Sequence, residues 1–144
     1  MPAKFCDAAE IKALAAVLTP PAGWLLRIAL YDNNNSGDPT LDISQFFLST
    51  LEGFQPKDIA FAAPATDGNS RANTTAPTIN FTLGETPPAP VDIYGIVIFY
   101  DDTAGSKTLV GWEYFGAPIP VSVNGQSIAI DLAWYCKDAE GVPA

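Results

Sequence analysis

Apolar residues along this chain recur with two different periods, and the change from one to the other divides it. Near the N-terminus Ile11, Leu14, Ala15 and Leu18 fall at i, i+3, i+4 and i+7, a single stripe on a helix. Asp7-Ala8-Ala9-Glu10 has capping-box spacing, and Thr19-Pro20-Pro21 cannot continue the ladder, so the pattern predicts a helix of about three turns over residues 8–18. Beyond it the period becomes two. Trp24, Leu26, Ile28 and Leu30 share one face of a strand with Arg27 on the other. Asp32 to Pro39 is a dense turn cluster, and residues 41–54 fit neither period. A short strand is expected around Ile59 to Ala63, a loop over residues 64–77, and a strand carrying Ile79, Phe81 and Leu83 on one face. Glu85 to Pro90 is too proline-rich for the inside of a sheet. Ile93 to Tyr100 carries no charge, the mark of a strand covered on both faces. Asp101 to Lys107 turns the chain into a return strand, Leu109 to Phe115.

The closing segment gives the most specific expectation. Asn124-Gly125 is the preferred pair for a two-residue type I′ turn. That turn would pair Val123 with Gln126, Val121 with Ile128, Ile119 with Ile130 and Ala117 with Leu132, putting nearly every apolar residue on one face. One helix followed by seven or eight short strands predicts an all-β fold, a β-sandwich or jelly-roll-like barrel with one short N-terminal helix. A single domain over residues 1–144 is expected, with the sandwich spanning about 23–137.

Composition narrows the partners. With 144 residues the chain can bury roughly 70% of its unfolded surface without metal or disulfide support. Acidic residues outnumber basic ones 16 to 7, for a net charge of −9. So few cations argue against nucleic acid and against anionic membranes. Charged residues amount to only 16%, which suggests a surface partly covered by a partner. Met1-Pro2-Ala3-Lys4 runs into Phe5-Cys6-Asp7 without an apolar core, so no secretory signal is expected, and no apolar stretch is long enough for a membrane helix. Cys6 and Cys136 admit two readings. A disulfide between them would close a loop worth about 5 kcal/mol in the chain-entropy treatment, while two separate buried thiols are the simpler alternative.

Chemistry is sparse. There is no histidine, which removes the usual general base, the hydrolase triads and most zinc and iron sites. Neither a phosphate-binding glycine loop nor a CxxC pair occurs. Asp101-Asp102 reads as a pair of solvated turn aspartates, and Glu113, between Trp112 and Tyr114, as the outward residue of an alternating strand. Asp32 to Asp38 begins like a calcium loop, but position twelve is Ile43, so a turn held by Asx hydrogen bonds is expected. The three N-x-[ST] triplets, at Asn34, Asn73 and Asn80, are chance matches without a secretory signal. Trp24, Trp112 and Trp134 are expected on strands, as core or interface. No catalytic residue, cofactor or metal is expected, and the chain reads as non-enzymatic.

The order of segments carries a resemblance. It runs from the helix through Leu25-Leu26-Arg27-Ile28-Ala29-Leu30-Tyr31-Asp32-Asn33, Gly53-Phe54, and Thr78-Ile79-Asn80-Phe81-Thr82. Ile93-Tyr94-Gly95-Ile96-Val97-Ile98, Trp112-Glu113-Tyr114-Phe115 with Pro118, and Val123-Asn124-Gly125-Gln126 complete it. The order resembles small virion proteins of tailed bacteriophages, the capsid accessory, decoration or cement proteins, from about residue 7 to 136. Two departures stand out: Gly53-Phe54 replaces the family's aromatic step, and Gly111-Trp112 shifts its tryptophan.

The resemblance implies a protein on the outside of the phage head, assembled in the host cytoplasm, often trimeric, that binds the major capsid protein and staples the shell. It makes the helix stripe or the N-terminal arm a contact with the shell or a sister subunit, and gives Ile11, Leu14, Leu18, Trp112 and Tyr114 as candidate interface residues. A phage tail or fibre component and a carbohydrate-binding β-sandwich module remain the alternatives, since aromatic faces on such folds also stack on sugars.

Overall fold

The structure, a computed structural model, describes residues 7–38, 40–66 and 72–135. Cys6, Cys136 and the side chains of the expected capping box, Asp7 and Glu10, lie outside that description. The chain is all-β with one short N-terminal helix, α1 (Asp7–Val17). In chain order the strands are β1 (Leu25–Tyr31), β2 (Lys57–Asp58), β3 (Ala65–Thr66), β4 (Ala72–Thr75), β5 (Ile79–Thr82), β6 (Val91–Asp101), β7 (Lys107–Val121), β8 (Ser127–Ile130) and β9 (Ala133–Tyr135). They form two compact units, and the backbone passes between the units four times.

The first unit comprises residues 1–20, 60–79 and 130–144. Its sheet has the order β3-β4-β9, antiparallel throughout, and α1 packs on β3 and β4. Leu14, at the centre of the helix stripe, is 1% exposed, and Ala72 and Thr74 of β4 are buried. Leu18 closes the last turn through its N–H to the Leu14 carbonyl (3.1 Å), and the Thr19 hydroxyl donates to the Ala15 carbonyl (2.7 Å) ahead of the two prolines. Here two expectations need correction. Residues 64–77 are not a loop but carry β3 and β4, and the strand expected around Ile59 to Ala63 is replaced by β2 just before it. The periodic signal was weak because the buried side of β4 is Ala72 and Thr74, small residues that a hydropathy pattern barely registers.

The second unit, residues 21–59 and 80–129, is organised on a sheet of order β2-β1-β6-β7. β1 pairs with β6 antiparallel along its full length, from Leu25 opposite Asp101 to Tyr31 opposite Gly95. Both faces of this pair are buried where they cross, at Ile28 to Tyr31 and Gly95 to Phe99, which accounts for the uncharged run in β6. Trp24 falls just before β1 rather than on it.

Alternation places Ala29, Tyr31, Val97, Phe99 and Trp112 on one face. The segment between β1 and β2 folds over that face and brings Phe46 into the cluster. Residues 41–54, ambiguous in period, hold a 3-10 turn (Ile43–Gln45) capped by Asp42 and a single bridge from Leu48 to Tyr31. Elsewhere in the unit Phe54 meets Phe81 edge-on at 6.4 Å, and the Lys57 ammonium lies 5.3 Å from the Phe81 ring centre.

The expected terminal hairpin is not formed. The far end of β7 pairs with β6 instead, Ile119 opposite Ile93 and Val121 opposite Val91, while β8 pairs with β5. The turn itself is present, with Gln126 N–H donating to the Val123 carbonyl (3.1 Å) and Gly125 at φ +94°. Asn124 has negative φ, however, so this is not the type I′ turn that would match the twist of a hairpin, and the strands it joins diverge.

Both edges of the four-stranded sheet are blunted. β2 has two residues, and β7, the other edge, carries Pro118 and Pro120 beside an irregularity that sets Ile93–Gly95 of β6 against Tyr114–Ile119 of β7. Proline is tolerated there because an edge strand leaves its outer N–H groups unpaired, and it denies that edge to another chain.

Candidate functional site

The candidate interface residues separate into two sets. Ile11, Leu14 and Leu18 belong to the first unit, Trp112 and Tyr114 to the second. Leu14 is core and offers no contact surface, because the helix turns its stripe onto its own sheet; Ile11 and Leu18 are half-buried. Leu18 borders a cleft of about 280 Å³ lined by Ala15, Leu18, Thr19 and residues 61–64. At that cleft Phe61 packs edge-on against Trp134 at 6.0 Å, which assigns Trp134 a packing role.

Trp112 and Tyr114 alternate with Glu113 on β7, so both aromatics face the Asn-rich loop while Glu113 is exposed. The Trp112 indole N–H donates to the Ser36 carbonyl (3.3 Å), and its ring lies 6.2 Å from Phe46. It passes so close to Gly37 that a Cβ there would sit 1.7 Å from the indole nitrogen. The Tyr114 hydroxyl donates to Asn34 Oδ1 (3.0 Å) and that of Tyr31 to the Asn35 carbonyl (2.8 Å). Asn33 and Asn35 both donate through Nδ2 to the Gln45 carbonyl (3.0 Å each). Asn33 Oδ1 accepts from Phe47 N–H (2.8 Å) and Asn35 Oδ1 from Gly37 N–H (2.9 Å). The Asx hydrogen bonds expected of this loop are therefore present.

The loop's carboxylates follow from local causes. Burial pushes Asp32 upward, against a backbone N–H that favours its charged form. Asp38 is held below the usual carboxylate range by the Thr40 N–H and hydroxyl that both donate to it. Asp102, in the turn after β6, is lowered in the same way, first by the Ala104 N–H. Its neighbour departs from the expectation of a solvated aspartate. Asp101 is buried on the sheet face, with Oδ2 at 3.1 Å from Arg27 Nη1 and Oδ1 accepting from Thr103 N–H at 2.8 Å.

Two contact candidates have no clear counterpart in the sequence pattern. Phe47 is 63% exposed, although its backbone is fixed on both sides through Asn33 and the Asp32 N–H. Val123, which a hairpin register would have paired, is 58% exposed in the turn after β7. The one available signal was the Phe46-Phe47 doublet, since adjacent residues in extended backbone face opposite ways and the Phe46 ring is buried. Among the described residues no three carboxylates or thiols gather to hold a metal ion.

Tyr31 supplies a test of how firmly the loop closes over the sheet. Burial, with a smaller push from Tyr114, raises its hydroxyl from 10.0 to about 12. A phenol harder to ionise folded than unfolded stabilises the fold fully below pH 10, and that contribution drains away as pH rises towards about 12. The loss is about 2–3 kcal/mol from the size of the shift. Urea midpoints across this range should fall for the wild type and fall less for Tyr31→Phe. Tyr100, also raised by burial, titrates in the same sense, so Tyr100→Phe is the control. An equally steep alkaline loss in Tyr31→Phe would mean that the hydroxyl is open to solvent.

No protein-family model matches the chain, and neither the curated proteins nor the solved structures include one similar to it.

Proposed function

We propose that the chain is a virion structural protein of a tailed bacteriophage, a decoration or cement protein that binds the outside of the head and stabilises the shell. The observation that carries this reading is the set of large apolar side chains the second unit leaves in water, Phe47, Ile119 and Val123. Burying such a side chain is worth about 1.5–3 kcal/mol, a gain that a lone copy forgoes and a partner supplies. The backbone around Phe47 is already ordered, so docking there costs little conformational entropy.

Blunted sheet edges support contact through side chains rather than strand addition. The partner is the major capsid protein, with self-association, a trimer by preference, around it. Binding only the folded, assembled lattice would add stability by mass action. With a net charge of −9 the chain has no role on nucleic acid or on anionic membranes, and in this reading it is not an enzyme and needs no cofactor.

Density-purified particles give the test, through the copy number of this chain against the shell protein. A ratio near that of the shell protein is expected. A few copies per particle would move the chain to the tail or a vertex, and complete absence would overturn the virion reading in favour of a carbohydrate-binding module.

A further inference from the structure

The turn between β7 and β8 holds the only Asn-Gly pair in the chain, Asn124-Gly125, and both residues are exposed. Asn-Gly is chemically the most fragile of dipeptides, because glycine has no side chain to shield its nitrogen from the asparagine amide. In the reaction the Gly125 nitrogen attacks Asn124 Cγ. The N–Cγ bond forms, the Cγ–Nδ2 bond breaks, and ammonia leaves with the proton that the nitrogen sheds. Water then opens either C–N bond of the cyclic imide, giving aspartate or the isomer whose backbone runs through the side chain.

The folded turn withholds that nitrogen. Gly125 N–H donates to the Leu83 carbonyl at 2.8 Å, and Leu83 N–H donates to the Gln126 carbonyl at 2.8 Å, so Leu83, which is buried, grips the turn from both sides. Asn124 N–H donates to Thr86 Oγ1 (3.2 Å). Gln126 Oε1 accepts from both Ser122 N–H (2.6 Å) and Val123 N–H (2.9 Å), closing the turn from inside. To reach Cγ the Gly125 nitrogen must give up the Leu83 carbonyl, and the peptide plane must rotate away from the position these hydrogen bonds define.

We propose that Asn124 is a latent deamidation site, sealed by the Leu83 clamp, whose rate of conversion reports how often the β7–β8 turn opens. Conversion is one-way. The isomerised product lengthens the backbone between Asn124 and Gly125 and adds a negative charge, so the Gly125–Leu83 and Asn124–Thr86 bonds cannot both re-form.

Peptide mapping by mass spectrometry, after incubating the full chain at mildly alkaline pH with and without unfolding urea, measures this directly. Conversion at Asn124 should be slower in the folded protein by about tenfold or more, the factor that corresponds to one net hydrogen bond of ordinary strength. Gln126→Ala and Thr86→Val, checked for folding by circular dichroism, should speed conversion in the folded state several-fold and leave the rate in urea unchanged. Equal rates in folded and unfolded chain would overturn the proposal. So would wild-type folded rates in both variants, since the turn would then not be held by the bonds described.

Discussion

Replacing Arg27 with alanine should cost the second unit about 2–4 kcal/mol, one of the two largest losses expected from a single substitution. Arg27 sits on β1 with Nε at 2.8 Å from Asp58 Oδ1 and Nη1 at 3.1 Å from Asp101 Oδ2. The two contacts are unequal. Asp58 is on the short edge strand with its side chain 64% exposed, so that pair is worth no more than about 1 kcal/mol. The Asp101 side chain is 6% exposed, and removing its cation strands a carboxylate inside the sheet face with, among the described residues, only the Thr103 N–H left to it.

The same N–H belongs to the one described non-glycine residue at positive φ, Thr103 at 66°, so Asp101 also holds the tight turn that feeds β7. Urea unfolding of Arg27→Ala, Asp58→Ala and Asp101→Asn gives the ordering. Arg27→Ala should lose most and Asp58→Ala almost nothing. Asp101→Asn should fall between, since an amide keeps an acceptor for Thr103 but loses the charge. A loss in Asp58→Ala as large as that in Arg27→Ala would show that the exposed contact carries the energy.

Gly95→Ala is expected to match it, at about 3 kcal/mol, by a different route. Gly95 lies on β6 between Tyr31 of β1 and Tyr114 of β7. A Cβ built there would be 2.2 Å from the Glu113 carbonyl oxygen and 2.5 Å from the Tyr31 hydroxyl. The first is backbone of a paired strand and cannot swing aside. The second is held by its hydrogen bond to Asn35. The methyl must therefore push β7 off β6 or lift the Asn-rich loop. Gly23→Ala is the control, for Gly23 has φ +84° but nothing within 4 Å of its Cβ position, so it should cost about 1–2 kcal/mol of backbone strain alone. If the two variants share one urea midpoint, close packing at Gly95 is not what selects glycine there.

The elements legible in the sequence were those whose burial comes from large side chains. β6 announced itself as a run without charge because Ile96, Val97, Ile98 and Phe99 are covered on both faces. α1 was legible from its stripe and its proline stop, although the stripe faces its own sheet and leaves Leu14 no part in an interface. β4 was missed because its inner side is alanine and threonine. The hairpin failed for a more general reason. A turn signal identifies where the chain bends, but not which strands the two arms will find, and here Val91 and Leu83 compete successfully for them.

At the candidate site the resemblance singled out Trp112 and Tyr114, yet what fixes them is the alignment of Asn34, Ser36 and Gly37 across the sheet face. No local pattern encodes that distance in sequence, from residue 36 to residue 112 for one hydrogen bond.

The interleaving of the two units has a consequence for the order of events during synthesis. In the first unit α1 is made early, but β9, which completes the β3-β4-β9 sheet, is the last of the described strands to be made. An isolated helix of 11 residues is marginal in water, so α1 has no lasting support until β4 is made and no finished sheet until β9 arrives. The described strands of the second unit are all made by the end of β8, before β9. The first unit thus joins a helix made before any described strand to the strand made after all the others, and its sheet is complete only once that late strand has paired.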